Sequence, residues 1–207
     1  MFELTTLLLF LGAALLIAIS PGPGIFYVAA RTLSGGRAEG LASSLGTGLG
    51  GLAHVAAGAL GVSALLLASA EAFTLLKLIG AAYLVYLGIR TWRAAAEPVA
   101  LAPLDPQGAG RAFRDGVLVE ALNPKTAAFF LAFIPQFVEP AGALSVAAQF
   151  LVLGLVSVTL NTLADVGVTF GAARLRERLG ATAIALLRRI SGGVLCGLGV
   201  TLALARR

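Results

Sequence analysis

The sequence predicts an all-α membrane protein: six transmembrane helices forming two inverted three-helix repeats, with the first and fourth helices broken. Three observations carry this reading: a lipid-like composition, six long apolar stretches, and a proline-containing interruption in two of them. Of 207 residues, 58% are hydrophobic and only 12% charged, and the mean hydropathy is +0.95. Soluble domains are typically about 45–50% apolar and about 25% charged, so both values depart toward lipid.

A helix needs roughly 20 apolar residues to cross the hydrocarbon core. Six stretches meet or approach that length, at residues 4–30, 41–67, 72–92, 114–138, 142–171 and 189–205. The last is short, but Arg188 and Arg189 just before it can extend their heads toward lipid headgroups and let the helix begin earlier. The first lacks the positive n-region of a cleaved signal peptide, because no Lys or Arg precedes Arg31, and is read as a membrane helix. The longest connection runs from Ala94 to Gly110 and carries Pro98, Pro103 and Pro106. Its Ala/Pro character marks a linker, dividing the chain into a first repeat at 1–93, a cytoplasmic linker at 94–110 and a second repeat at 111–207.

Charge fixes the expected orientation. The net charge is +5. Eleven basic residues fall in the odd-numbered loops: Arg31, Arg37, Arg90, Arg93, Arg111, Arg114, Arg174, Arg176, Arg178, Arg188 and Arg189. Three, Lys77, Arg206 and Arg207, fall on the opposite side. The positive-inside rule then puts both termini outside the cytoplasm. Lys77, near Glu71, reads as an interfacial anchor. Basic residues interleaved with apolar runs, without aromatics to stack on bases, exclude a nucleic-acid-binding surface.

The first apolar stretch contains Ser20-Pro21-Gly22-Pro23-Gly24. Two prolines remove two backbone donors and clash with the preceding turn, so a continuous helix is not expected. The fourth stretch contains Asn123-Pro124-Lys125. At an offset of 103 residues Phe10 falls on Phe113, Leu15 on Leu118, Ala18 on Ala121, Pro21 on Pro124 and Phe26 on Phe129. A broken span thus opens each half. Three spans per half is odd, so the second half runs inverted to the first. Paired interrupted spans at corresponding positions are the mark of a substrate site near the membrane midplane. Backbone groups released by a break must face protein, a cavity or a ligand, and a half-helix start offers free N–H groups that suit a carboxylate. Ser20, Pro21, Gly22, Pro23, Gly24, Asn123, Pro124 and Lys125 are therefore the candidate substrate-binding residues.

Ionisable groups at membrane depth cost at least ~2.5–3.5 kcal/mol each and are functional candidates by default. Lys125 follows the second break and suits a substrate carboxylate or a neighbouring acid. Glu120 stands five residues earlier, about 140° off the same face of an ideal helix, so the break must bend for the two to meet. Asp165, with Asn161 one turn before it, lies in the fifth stretch. His54, the sole histidine, lies midway along the second, and its ordinary pKa near ~6.5 suits proton movement. Glu120, Asp165 and His54 are the candidates for proton or charge coupling. One His and one Cys, Cys196, supply neither a soft-ligand metal set nor a disulfide nor a nucleophile–base pair, so no metal, cofactor or enzymatic activity is expected. Gly46 and Gly50, Gly167 and Gly171, and Gly193 and Gly197 are spaced four apart and permit close helix approach, within the bundle or across a homodimer face.

These motifs resemble the LysE/RhtB family of amino acid exporters over nearly the whole chain. The resemblance rests on Ser20-Pro21-Gly22-Pro23, on the run from Leu76 through Leu84, and on Leu122-Asn123-Pro124-Lys125 followed by Pro135-Gln136-Phe137. The family usually has Asn after the second proline of the first motif, where this chain has Gly24. The resemblance implies a multi-pass protein of the bacterial inner membrane, in contact with lipid, that exports amino acids or similar zwitterions using the proton gradient or membrane potential. A channel or a non-transporting membrane subunit is the alternative.

Overall fold

The computed structural model describes residues 3–96, 105–139, 142–178 and 181–204. Residues 97–104 of the linker, with Pro98 and Pro103, the terminal Arg206 and Arg207, and the side chains of Arg174, Arg176 and Arg178 lie outside the described residues. Among the described residues the regular structure is entirely helical. The helices are α1 (Leu4–Ile19), α2 (Pro23–Ala68), α3 (Ala70–Arg93), α4 (Ala109–Ala121), α5 (Pro124–Ala128), α6 (Val146–Arg178) and α7 (Ala181–Leu204). A π turn (Phe129–Phe133) and a 3-10 turn (Ile134–Phe137) continue α5.

Both expected breaks are present. α1 meets α2 at a 46° bend, and α4 meets the segment from Pro124 to Phe137 at 42°. Ser20 ends α1 in an extended conformation, as a residue before proline prefers. Asn123 starts α5 as its N-cap, its side-chain oxygen accepting from the Lys125 N–H, and Pro124 follows at the first helical position, where its missing N–H costs nothing.

By length and composition α3 and α6 are clear membrane spans, at Glu71–Ala96 and Val146–Gly171, and each bent pair counts as a further span, giving up to four. One boundary differs from expectation. Residues 31–40, expected to be a loop, are helical, and α2 is interrupted only at Gly36 (φ 75°, ψ −169°). That left-handed backbone suits glycine, and the turn is closed by a polar network that periodicity cannot reveal.

The surface is apolar and the interior partly polar. Leu4, Leu60, Leu122, Leu163 and Leu204 are each more than 60% exposed, whereas Ser43, Ser44, Thr47 and Asp165 are fully buried. This inversion suits a chain solvated by lipid. The apolar core joins Phe10 and Ile17 of α1 to Leu84 of α3, Phe150 and Leu153 of α6, Leu195 of α7, and the aromatic run after α5. Phe129, Phe133 and Phe137 stack in series, with ring centroids 5.1 and 4.9 Å apart, and Phe10 closes the series 5.2 Å from Phe137.

Glycine sets two close helix approaches. A Cβ on Gly46 or Gly50 would lie 2.2 Å from Phe113 O or 2.4 Å from Val117 O, so α2 and α4 touch backbone to backbone. α3 and α7 do the same where Gly88 faces Gly192 and Cys196 and where Gly199 faces Ala81. The spacing of four identifies only the first contact; Gly167 and Gly197 face open space. Lys77, expected at the interface as an anchor, is only 5% exposed within the bundle.

Candidate functional site between the two breaks

The bends bring Ser20, Gly22, Gly24, Glu120, Asn123 and Lys125 together. The final turn of α1 leaves carbonyls without intrahelical partners. Lys125 reaches across from the second half and its Nζ donates to Ile17 O (3.2 Å) and Ser20 O (2.9 Å). A cation at the negative end of a helix is favourably placed. Gly22 makes room for it, since a Cβ there would stand 3.1 Å from Nζ. Lys125 is thus held by main-chain carbonyls at the first break, where the sequence suggested a carboxylate.

Glu120 occupies the other side of the same break. Its Oε2 accepts from Asn123 Nδ2 at 2.9 Å and its Oε1 from Thr126 Oγ1 at 2.6 Å. A Cβ on Gly24 would lie 2.7 Å from Oε2, so the carboxylate sits against the first turn of α2, where negative charge is stabilised. Here the chain's own acid takes the position that a half-helix start offers to a substrate carboxylate. The second half therefore answers both ends of the first break, with Lys125 on the carbonyl end and Glu120 on the amide end. The absence of a side chain at residue 24 is what lets Glu120 approach.

The remaining candidates divide. The His54 ring nitrogen Nε2 lies 2.9 Å from Glu120 O, an acceptor-only partner that assigns the proton to Nε2. The ring also packs 5.8 Å from Phe130. His54 thus holds the end of α4. Asp165 is fully buried; Thr47 Oγ1 donates to its Oδ2 at 2.7 Å, while Oδ1 has no hydrogen-bond partner. Ser20 Oγ is likewise buried and without a partner. Buried polar atoms left unpaired are costly and call for an explanation. Pro21 and Pro23 shape the break through their backbone. Asn161 lines a small cavity beside Glu120, Thr126, Thr47 and Ser157. No group of three or more metal-ligating side chains occurs among the described residues.

A second, larger cavity of about 250 Å³ opens on the other side of the breaks, lined by Pro21, Gly22, Asn123, Lys125, Arg90 and Arg188 among others. Arg188 donates to Ala94 O and its guanidinium lies 5.5 Å over the Phe26 ring.

The sequence reading missed a polar cluster at the Gly36 turn. Arg31 and Glu39, 6% and 3% exposed, form an ion pair at 3.5 Å. Glu39 Oε1 accepts from the backbone N–H groups of Gln107 and Gly108, each at 2.7 Å. Arg31 donates to Asp105 O at 3.1 Å and Tyr27 to Ala112 O at 2.9 Å. The turn between the two parts of α2 is thereby pinned to the residues that lead into α4. The available signal was two opposite charges flanking Gly35-Gly36.

The LysE type translocator family model matches residues 15–206. An uncharacterised membrane protein of Vibrio cholerae is 34% identical over 200 residues, covering 96% of this chain and 97% of the relative. A homoserine/homoserine lactone efflux protein of Salmonella typhimurium is 33% identical over 198 residues, 92% of each chain. A threonine efflux protein of Escherichia coli is 31% identical over 139 residues, 64% of this chain and 68% of the relative. No solved structure is significantly similar to this chain. With both proline breaks and nearly the whole length inside the match, this chain belongs to the LysE type translocator family.

Proposed function

We propose that the protein is a secondary carrier that exports small neutral amino acids, of the hydroxylated kind named for its efflux relatives, by alternating access at the paired breaks. The observation that carries this reading is the convergence of two Pro-broken helices on one oppositely charged pair, with Lys125 bonded to Ile17 and Ser20 and Glu120 bonded to Asn123 and Thr126. A zwitterion carries the same two charges. Its carboxylate is matched to Lys125 and its ammonium to Glu120, and each would replace a bond that the protein now makes with itself. The unpaired hydroxyl of Ser20 offers a further contact, and the unpaired Oδ1 of Asp165 a seat for a coupling proton.

In this reading six spans form two inverted repeats in the bacterial inner membrane with both termini outside the cytoplasm. The cavity beside Arg90 and Arg188 then faces the cytoplasm, and the Phe129–Phe133–Phe137–Phe10 series lies on the far side as an aromatic seal. His54 acts by holding Glu120's helix end.

The test is uptake and exchange of labelled L-threonine and L-homoserine in proteoliposomes, with and without an imposed proton gradient. Saturable, gradient-sensitive flux is expected, with a loss of at least about tenfold in Lys125→Ala. Single-channel currents in planar bilayers, or no flux of any amino acid by folded protein, would overturn the carrier.

A further inference from the structure

The small cavity beside Glu120 holds about 20 Å³, enough for one group the size of a water molecule. Its polar wall is Glu120 with Thr47, Thr126, Ser157 and Asn161. Ser157 and Asp165 are buried, and with Asn161 they follow one another at intervals of four along α6, so they share a face. α6 thus turns a polar stripe inward along a membrane span, where polar groups need partners.

The hydrogen bonds show which of these groups are engaged. The Thr126 hydroxyl donates to Glu120 Oε1 and the Ser157 hydroxyl to Leu153 O. The single proton of Thr47 has two acceptors, Ser44 O at 2.9 Å and Asp165 Oδ2 at 2.7 Å. All three hydroxyl protons are spent, while the oxygens keep lone pairs to accept with. The Asn161 amide makes no hydrogen bond among the described residues, and an amide brings two N–H donors and an accepting oxygen. The cavity therefore presents both contacts that one oxygen needs: an N–H for its lone pair, and hydroxyl oxygens for its proton where it has one. A methyl in the same place would satisfy neither, and polar groups buried without partners oppose binding.

From this we infer that the cavity is the carrier's side-chain subsite, that Asn161 is its specificity residue, and that preferred solutes carry an oxygen on a short side chain. The inference rests on the carrier reading above and assigns the part of the site that tells a hydroxylated amino acid from its aliphatic isostere. The subsite reads an oxygen rather than a charge. A hydroxyl bonds both ways, and an ester oxygen still accepts from the amide.

The experiment uses full-length protein in proteoliposomes and labelled L-threonine, with four unlabelled competitors: L-threonine, L-serine, L-valine and L-2-aminobutyrate. The last two replace the hydroxyl of the first two by a methyl and keep the ammonium, the carboxylate and the shape. In wild-type protein each hydroxylated solute is expected to compete at least about tenfold better than its isostere, because a site built to bond a hydroxyl rejects the analogue lacking it. Asn161→Leu, similar in volume and without a polar atom, should bring each pair within about twofold and carry labelled L-valine at least as well as L-threonine. Asn161→Ala should narrow the ratios in the same direction and serves where the leucine variant does not fold. A merely structural defect would lower the flux of both members of a pair and leave their ratio in place. Thr159→Val, on the exposed side of α6, should keep the wild-type ratios.

Equal competition by threonine and valine in wild-type protein would overturn the inference and leave the carrier standing. So would Asn161→Leu or Asn161→Ala protein that transports with wild-type selectivity, since the cavity would then seat a structural water only. Absence of transport for any amino acid would remove the carrier reading and this inference with it.

Discussion

Replacing Glu39 by Ala, alone and together with Arg31→Met, asks what fastens the α2 turn to the start of α4. The geometry separates two contributions. The Arg31–Glu39 contact is single and long at 3.5 Å, and neither Glu39 Oε2 nor Arg31 Nε makes a hydrogen bond. Oε1, by contrast, accepts two backbone N–H groups at 2.7 Å. Hydrogen bonds to a charged group contribute about 1.5–3 kcal/mol each, and a buried donor left unpaired costs about 1–3 kcal/mol. Glu39→Ala orphans both donors and strands a buried guanidinium, so it should cost about 3–5 kcal/mol, the range for breaking a buried pair. Arg31→Met leaves Glu39 with its two amides and should cost less, about 1–2 kcal/mol. The double variant removes the stranded charge but not the orphaned amides, and should still cost about 2 kcal/mol or more. For a chain of this size 1 kcal/mol corresponds to roughly 2–4 °C. Thermal unfolding in detergent, followed by fluorescence, should therefore rank the Tm values as wild type, Arg31→Met, double variant, Glu39→Ala. A double variant as stable as wild type would refute the reasoning, because the amides would then have found other partners. So would an Arg31→Met protein as unstable as Glu39→Ala.

Two further outcomes follow from the site. Gly24→Ala puts a methyl 2.7 Å from Glu120 Oε2 and forces the carboxylate off Asn123 and Thr126; transport should fall about tenfold or more, and a Glu120→Ala/Gly24→Ala pair should show no further loss beyond Glu120→Ala in the same flux assay. His54→Gln keeps a donor for Glu120 O and should retain most activity with an unchanged pH profile, whereas His54→Leu leaves that carbonyl with only its backbone donor Asn123 N–H and should lower thermal stability by about 0.5–1.5 kcal/mol; a pH profile altered by His54→Gln would restore His54 to proton coupling.

The sequence alone determined the solvent, the helical class and the positions of the two breaks. These are local or compositional properties: apolar length, and prolines that no helix absorbs without a kink. It also determined the family, because the motifs at Pro21 and Pro124 are contiguous in the chain. The partners of the charges were decided by the tertiary structure. Lys125 and Ile17 are 108 positions apart, Thr47 and Asp165 118, and no spacing rule links them. Helical phase even argued against a Glu120–Lys125 partnership, and the bend at Asn123 was needed to give each its own end of the first break. The loop expected at residues 31–40 was misread for the same reason. Charges and glycines there look solvated in sequence, but Glu39 is buried by amides contributed from residues 107 and 108. Arg90 and Arg188, which read as cytoplasmic anchors by position, converge on one cavity only because α3 and α7 pack backbone to backbone at Gly88 and Gly192. A sequence records what each segment prefers; where a charge finds its counterpart depends on distances that only the packed bundle sets.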